Sequence, residues 1–132
     1  MDAMRPIDQL SRREIWDGVT ARMVEGERMT LAIVEIAPGK RVPEHTHDNE
    51  QIGFVIDGSV TFTVGGEVRE LGPGGTWRIF SNVPHHVDVG PRGAVVAEAY
   101  APGRADWAVL PQLEPASPLW PDGAPARTDR HG

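Results

Sequence analysis

Cysteine is absent from the 132 residues. Disulfides, thiolate metal ligands and a cysteine nucleophile are therefore excluded, and the absence fits a reducing compartment. An excess of base is missing too. The formal net charge is -6, and no basic face of the kind that holds nucleic acid is visible. No apolar run approaches membrane-spanning length. The opening stretch Met1-Asp2-Ala3-Met4-Arg5-Pro6 puts an acid and a proline where a signal peptide has its apolar core. These gaps describe a soluble cytoplasmic protein that works on a small molecule, without nucleic acid or membrane.

What the chain has in quantity is punctuation: 15 Gly and 12 Pro. That usage breaks a chain into short strands and turns and disfavours long helices. The length suffices for one domain with one core. Strand-like runs cover Val19 to Val24, Met29 to Ala37, Gln51 to Asp57, Val60 to Val64, Glu67 to Leu71, Thr76 to Phe80, His85 to Val89 and Ala94 to Tyr100. Gly65-Gly66 reads as a hairpin turn. Gly90-Pro91-Arg92-Gly93 reads as a turn, Trp107 to Leu110 as a last strand, and Ser11-Arg12-Arg13-Glu14 as a short turn of helix. Many short strands with regular turn signals mean an all-β sandwich or barrel. The expected division is a lead over 1–18, a barrel over 19–110 and an extended Pro-rich tail over 111–132. Leu113, Leu119 and Trp120 are candidates to pin that tail, and 127–132 reads as disordered. Sheet edges of such barrels predict a homodimer.

Chemistry concentrates in Gly39-Lys40-Arg41-Val42-Pro43-Glu44-His45-Thr46-His47-Asp48-Asn49-Glu50-Gln51. Residues two apart on an extended chain share a face, so His45 and His47 present two imidazoles together. Pro84-His85-His86 offers a third imidazole in His85, with His86 on the opposite face. Gln51 begins the next strand, and its neighbour Glu50 has the wrong parity to join it. His45, His47, His85 and the Gln51 amide oxygen form a neutral four-donor set for one divalent transition metal per chain (Zn, Ni, Fe, Mn or Co). Neutral donors leave the ion its full charge as a Lewis acid.

The stretch from Gly39 to Gly58 resembles the first cupin motif, G-x5-H-x-H-x3-E-x6-G, with every spacing kept and Gln51 in place of Glu. The stretch from Gly74 to His85 resembles the second, G-x5-P-x-G-x2-H, with Phe80 for Pro and Asn82 for Gly. The resemblance covers roughly Val24 to Tyr100. It implies the cupin double-stranded β-helix, a jelly-roll barrel with its metal between the sheets. His45-Thr46-His47-Asp48-Asn49-Glu50-Gln51 is further similar to a subset of small cupins in which Gln is a ligand. That subset includes the cupins that open the ring of unsaturated monouronates. Those carry a D-x-F-S-P-P-R pattern, and Glu98-Ala99-Tyr100-Ala101-Pro102-Gly103-Arg104 is similar to it.

The residues argue beside the resemblance. Glu98 interrupts the apolar run Ala94 to Tyr100. A buried carboxylate there costs several kcal/mol unless it pairs or faces a polar cavity. Glu98 and Tyr100 share a face. Glu98 is the candidate proton shuttle, Arg104 the candidate bidentate grip on a substrate carboxylate, and Tyr100 a pocket wall or core residue. Trp77, Phe54, Phe62 and Ile79 read as core or pocket lining, Arg78 as pocket wall or outer-sheet cover, and His131 as a solvated bystander. Three functions stay open. One is a non-redox, metal-dependent enzyme that ring-opens, tautomerises or isomerises a sugar acid. Another is an iron-dependent dioxygenase, and the last a non-catalytic binding cupin.

Overall fold

The structure, a computed structural model, describes residues 2–121. His131 and the expected disorder over 127–132 lie outside the described residues. A short 3-10 turn at Ile7–Gln9 leads into eight antiparallel strands: β1 Arg12–Trp16, β2 Val19–Glu25, β3 Thr30–Ile36, β4 Arg41–His45, β5 Glu50–Val64, β6 Glu67–Leu71, β7 Thr76–Ile79 and β8 His85–Ala101. A single turn of helix, α1 Ala105–Ala108, follows. No described helix is long and apolar enough to cross a membrane. The pairing order is β1-β2-β3-β8-β5-β6, with β4 added beside β8 and β7 beside β5.

Two strands of 15 and 17 residues organise this sheet. Residues 50–58 of β5 pair with 94–101 of β8, and residues 60–64 pair with 85–89. The first segments carry β3 and β7 on their outer sides; the second carry β4 and β6. The long pair therefore bends midway and serves both layers of an all-β jelly roll. Gly90 to Gly93, expected to reverse the chain, instead forms a bulge after which β8 resumes on the same partner. Gly58 and Gly93 make that bend. Both have positive φ, +77° and +75°, and a Cβ on Gly58 would stand 2.2 Å from the Gly93 carbonyl oxygen.

Between the layers lie Ala21, Ala32, Val34, Ile36, Val55, Val60, Phe62, Trp77, Ile79, Val87 and Val96, all buried. Their alternation along each strand is the period of two that a half-buried sheet requires. Phe54, expected in this core, has the other parity and faces solvent. Arg78 likewise lies outside, over the Phe80 ring. The Gly65-Gly66 hairpin is two residues long, closed by Val64 opposite Glu67.

Two further expectations are corrected. The Ser11 to Glu14 stretch is not helical: Arg12 to Glu14 pair in register with β2. A capping pattern without an apolar helical stripe behind it loses to a waiting strand edge. Trp107 to Leu110 is not a strand. Past Pro102-Gly103 the chain turns into α1, and Trp107 is buried against Tyr100. The tail is held mainly by polar contacts. Gln112 bridges Arg13, the Leu113 amide donates to the Arg12 carbonyl, Arg22 donates to the Ala116 carbonyl, and the Leu119 amide donates to Glu35. The Leu119 and Trp120 side chains stay partly exposed.

The bend yields a stability prediction. Gly58→Ala combines left-handed strain with a backbone clash and should lower unfolding free energy by ~2 kcal/mol or more. Gly39→Ala, also at positive φ but with nothing within 4 Å of a new Cβ, should lose only about 1 kcal/mol. Urea denaturation of both variants checks the order.

Candidate metal centre

Three imidazoles arrive from two parts of the chain. β4 ends on His45, the following loop carries His47, and β8 starts on His85, directly opposite His45 in register. Asn82, at φ 63°, turns the chain into Pro84 and so aims His85 inward. Each ring is held the same way. Nδ1 of His45 donates to the Pro43 carbonyl at 2.8 Å, Nδ1 of His47 to the Asn49 carbonyl at 2.9 Å, and Nδ1 of His85 to the Val83 carbonyl at 2.8 Å. A proton fixed on Nδ1 leaves the Nε2 lone pair free. The candidate donor atoms of the three residues lie within 4.8 Å of one another, close to the span of two metal–nitrogen bonds of ~2.1 Å each.

Two observations test whether a cation fits. First, Nε2 of His85 is buried and has no hydrogen-bond partner, which is a sizeable penalty if nothing meets it. Second, Nε2 of His47 stands 3.0 Å from Oε1 of Gln51. The Gln51 amide is oriented by its own nitrogen, which donates to Oε2 of Glu98 at 2.6 Å. Two acceptors thus face each other with no proton between them. A protonated imidazole would relieve this, but all three pKa values are pushed down. Loss of solvent is the leading cause in each case, with Arg104 adding like-charge repulsion, and His85 is lowered to about 4. The imidazoles are neutral at pH 7, and a metal cation placed among them would satisfy both lone pairs. His45, His47, His85 and Gln51 could all hold it. Glu50 is exposed and His86 lies on the other face near Glu44 and Asp88, as their parity requires.

Next to these donors lies a buried acid. Glu98 accepts from Gln51 and from the Tyr100 hydroxyl on the same oxygen, Oε2. Burial pushes its pKa up to about 7, against the opposing pull of Tyr100 and Arg104. The Tyr100 hydroxyl is raised well above its ordinary value by burial and by Glu98. The strand interrupted by a carboxylate in the sequence is thus interrupted on its inner face.

Arg104 is buried, but its fork is already engaged. Nε and Nη2 donate to the two oxygens of Asp106 at 3.0 and 2.9 Å. The guanidinium sits 3.9 Å from the Trp107 ring and 4.8 Å from that of Tyr100. Nη1 alone is buried without a partner. The bidentate grip expected for a substrate carboxylate is taken by Asp106, and Nη1 remains as the free donor. Asp106 and Trp107 were not legible as site residues, since an Asp two positions after an Arg in a loop carries no signal. Asn49 was missed as well. Its side chain donates to the Pro102 and Gly103 carbonyls and ties the histidine loop to the turn before Arg104. Trp16, on the lead, packs its ring 5.4 Å from that of His45.

Three of the four donors, His45, Gln51 and His85, line a cavity of about 30 Å³. His45, Gln51, His85, Glu98, Tyr100 and Trp107 form its polar end, and Val34, Ile36, Val60, Phe62 and Val87 its floor.

Comparison with known proteins agrees with this architecture. Residues 32–96 match the cupin domain family model. The chain is 28% identical over 102 residues to the pectin degradation protein KdgF of Dickeya dadantii (strain 3937), covering 76% of this chain and 93% of that protein. Its fold is similar to that of an RmlC-like cupin from Shewanella frigidimarina, with TM-score 0.74, 20% identity and coverage of 80% and 96% of the two chains. It is also similar to KdgF from Halomonas sp., with TM-score 0.73, 19% identity and coverage of 80% and 98%.

The depressed His85 pKa sets a pH dependence. An unfolded chain takes the imidazole proton near 6.5, the fold only near 4. Between those values the unfolded chain binds more protons. Stability of the metal-free protein is therefore complete above pH 6.5 and drains as pH falls toward 4. Denaturation curves in chelator should show a shallower acid loss for His85→Gln than for wild type. Equal slopes would mean that His85 is not shielded as described.

Proposed function

Since the chain carries a cupin domain, we propose that it is a metal-dependent enzyme performing non-redox acid/base chemistry on a sugar acid or similar oxygenated anion. The observation that carries this reading is Glu98, a buried carboxyl hydrogen-bonded to Gln51 beside three convergent imidazoles. A structural ion pair would place a cation on it; Glu98 instead has an amide and a phenol as hydrogen-bond partners. A carboxyl held near 7 exists in both protonation states at neutral pH, which suits a group that takes and returns a proton. The name of the Dickeya relative, a pectin degradation protein, supports a uronate as substrate.

The residues that would hold the ion are His45, His47 and His85 through Nε2 and Gln51 through Oε1. A bound divalent ion with four neutral ligands would polarise a hydroxyl or carbonyl oxygen of the substrate. The rest is done by the chain. Both described hydrogen bonds of Glu98 fall on Oε2, so Oε1 is the atom left to exchange a proton. In ring opening, the hemiacetal hydroxyl gives up its proton as its oxygen becomes a carbonyl. The bond from that carbon to the ring oxygen breaks, and the ring oxygen takes a proton back. No electrons leave the substrate, so no oxidant is needed. Nη1 of Arg104 supplies a charged donor for the substrate carboxylate, with Asp106, Trp107 and Tyr100 keeping the guanidinium still. Tyr100 orients Glu98 and walls the cavity.

The test is turnover of an unsaturated monouronate by the protein as purified, with the bound metal identified. Glu98→Gln keeps the shape and the hydrogen-bonding reach but cannot shuttle a proton, and should lose ~10²–10⁴-fold in kcat. Arg104→Ala should act mainly on KM. Wild-type turnover that survives Glu98→Gln would contradict the assignment. Iron as the native metal, with oxygen consumed on substrate addition, would favour a dioxygenase instead.

A further inference from the structure

The ladder between β5 and β8 ends at Glu50 opposite Ala101. Pro102 comes next and has no amide hydrogen to carry the pairing on. A side chain takes over. Nδ2 of Asn49 donates to the Pro102 carbonyl at 2.6 Å and to the Gly103 carbonyl at 3.2 Å. A primary amide nitrogen carries two hydrogens, so one atom serves both acceptors; a hydroxyl or a carboxylate in its place could not. From β3, Oγ1 of Thr30 accepts from the Arg104 amide at 2.9 Å. Both peptide groups between Pro102 and Arg104 are thus held by side chains from elsewhere in the chain. Asn49 has a second attachment. Its own carbonyl accepts from Nδ1 of His47 at 2.9 Å, the bond that leaves Nε2 of that ring free for a metal. The far flank of the same loop is fixed by the Asn82 amide, which donates to the His47 carbonyl at 2.9 Å.

We propose that Asn49 is a positioning residue that sets the separation between the His47 donor and Nη1 of Arg104. The inference rests on the reading of the imidazoles as metal ligands and of Arg104 as the donor to a substrate carboxylate. A substrate that spans both groups meets them at one spacing, and Asn49 is the residue that touches each side. Its backbone holds the ring of His47, and its side chain holds the turn that carries Arg104. Without that tether the loop and the turn can shift separately, and a misplacement of ~1 Å is enough to cost activity. A partner that orients a metal ligand also carries part of the metal affinity. Thr30 supplies the comparison. It holds the same turn through the Arg104 amide, and that bond leaves the histidine loop alone.

The test uses the full chain with zinc as the probe metal. Asn49→Ala should weaken zinc affinity, read by chelator competition, by ~10-fold or more. It should also shift the Arg104 Nε–H signal in proton–nitrogen correlation spectra of the zinc-loaded protein. That signal is marked by the place of the guanidinium over the Trp107 ring and is assigned by its loss in Arg104→Lys. Thr30→Val should shift the same signal and leave zinc affinity unchanged. With an unsaturated monouronate at saturating zinc, Asn49→Ala should raise KM more than it lowers kcat. If Asn49→Ala fails to fold, Asn49→Ser, with one hydrogen on a shorter side chain, decides in its place. Wild-type zinc affinity in the folded Asn49 variant, an unmoved Arg104 signal, or a loss of zinc from Thr30→Val equal to that from Asn49→Ala would each overturn the inference. A wild type that binds zinc but does not turn over the monouronate would contradict the proposed activity alone, because affinity and signal still decide on Asn49.

Discussion

One hydrogen bond fixes the character of the site: the Gln51 amide nitrogen to Glu98 at 2.6 Å. It orients the amide so that its oxygen faces the histidines, and it gives the buried Glu98 carboxyl a neutral hydrogen-bond partner, with Arg104 acting on it only through its field. The two side chains require each other. A glutamate at position 51, as the general cupin pattern has, would press two carboxylates together in the barrel, where both could not ionise. The exchange of Glu for Gln in the motif and the acid in the middle of an apolar strand are therefore two halves of one arrangement.

The fold exists to hold those halves in place. Gln51 sits near the start of β5 and Glu98 near the end of β8, 47 residues apart in sequence, and the long antiparallel pair sets them on one inner face. His45 and His85 are brought opposite each other by the β4–β8 ladder in the second layer. The bend at Gly58 and Gly93 is what allows the same two strands to supply both layers. Buried valines and isoleucines make this frame rigid, and each donor hangs from a backbone carbonyl or a neighbouring side chain rather than from solvent.

Much of this was legible in the chain. Residues two apart on a strand share a face, so His45 and His47 announced themselves, as did the parity of Gln51 over Glu50 and of His85 over His86. Glu98 was visible because a carboxylate inside Ala94 to Tyr100 needs an explanation. What could not be read depends on contacts distant in sequence. Asn49 reaches the Pro102 and Gly103 carbonyls 53 and 54 residues away, and Trp107 to Leu110 was too short a run to separate helix from strand. Ser11 to Glu14 carried a helical hint in its local pattern, yet an open edge on β2 claimed Arg12 to Glu14. Phe54 shares a strand face with Ile52, and alternation alone does not say which of the two faces of β5 is the inner one; the structure makes theirs the outer.

The most direct test is anomalous diffraction from crystals of the metal-loaded protein. One peak per chain is expected, at ~2.1 Å from Nε2 of His45, His47 and His85 and from Oε1 of Gln51, with the Gln51 nitrogen still on Glu98. A peak that misses the Gln51 oxygen, or no peak among the three imidazoles, would contradict the account.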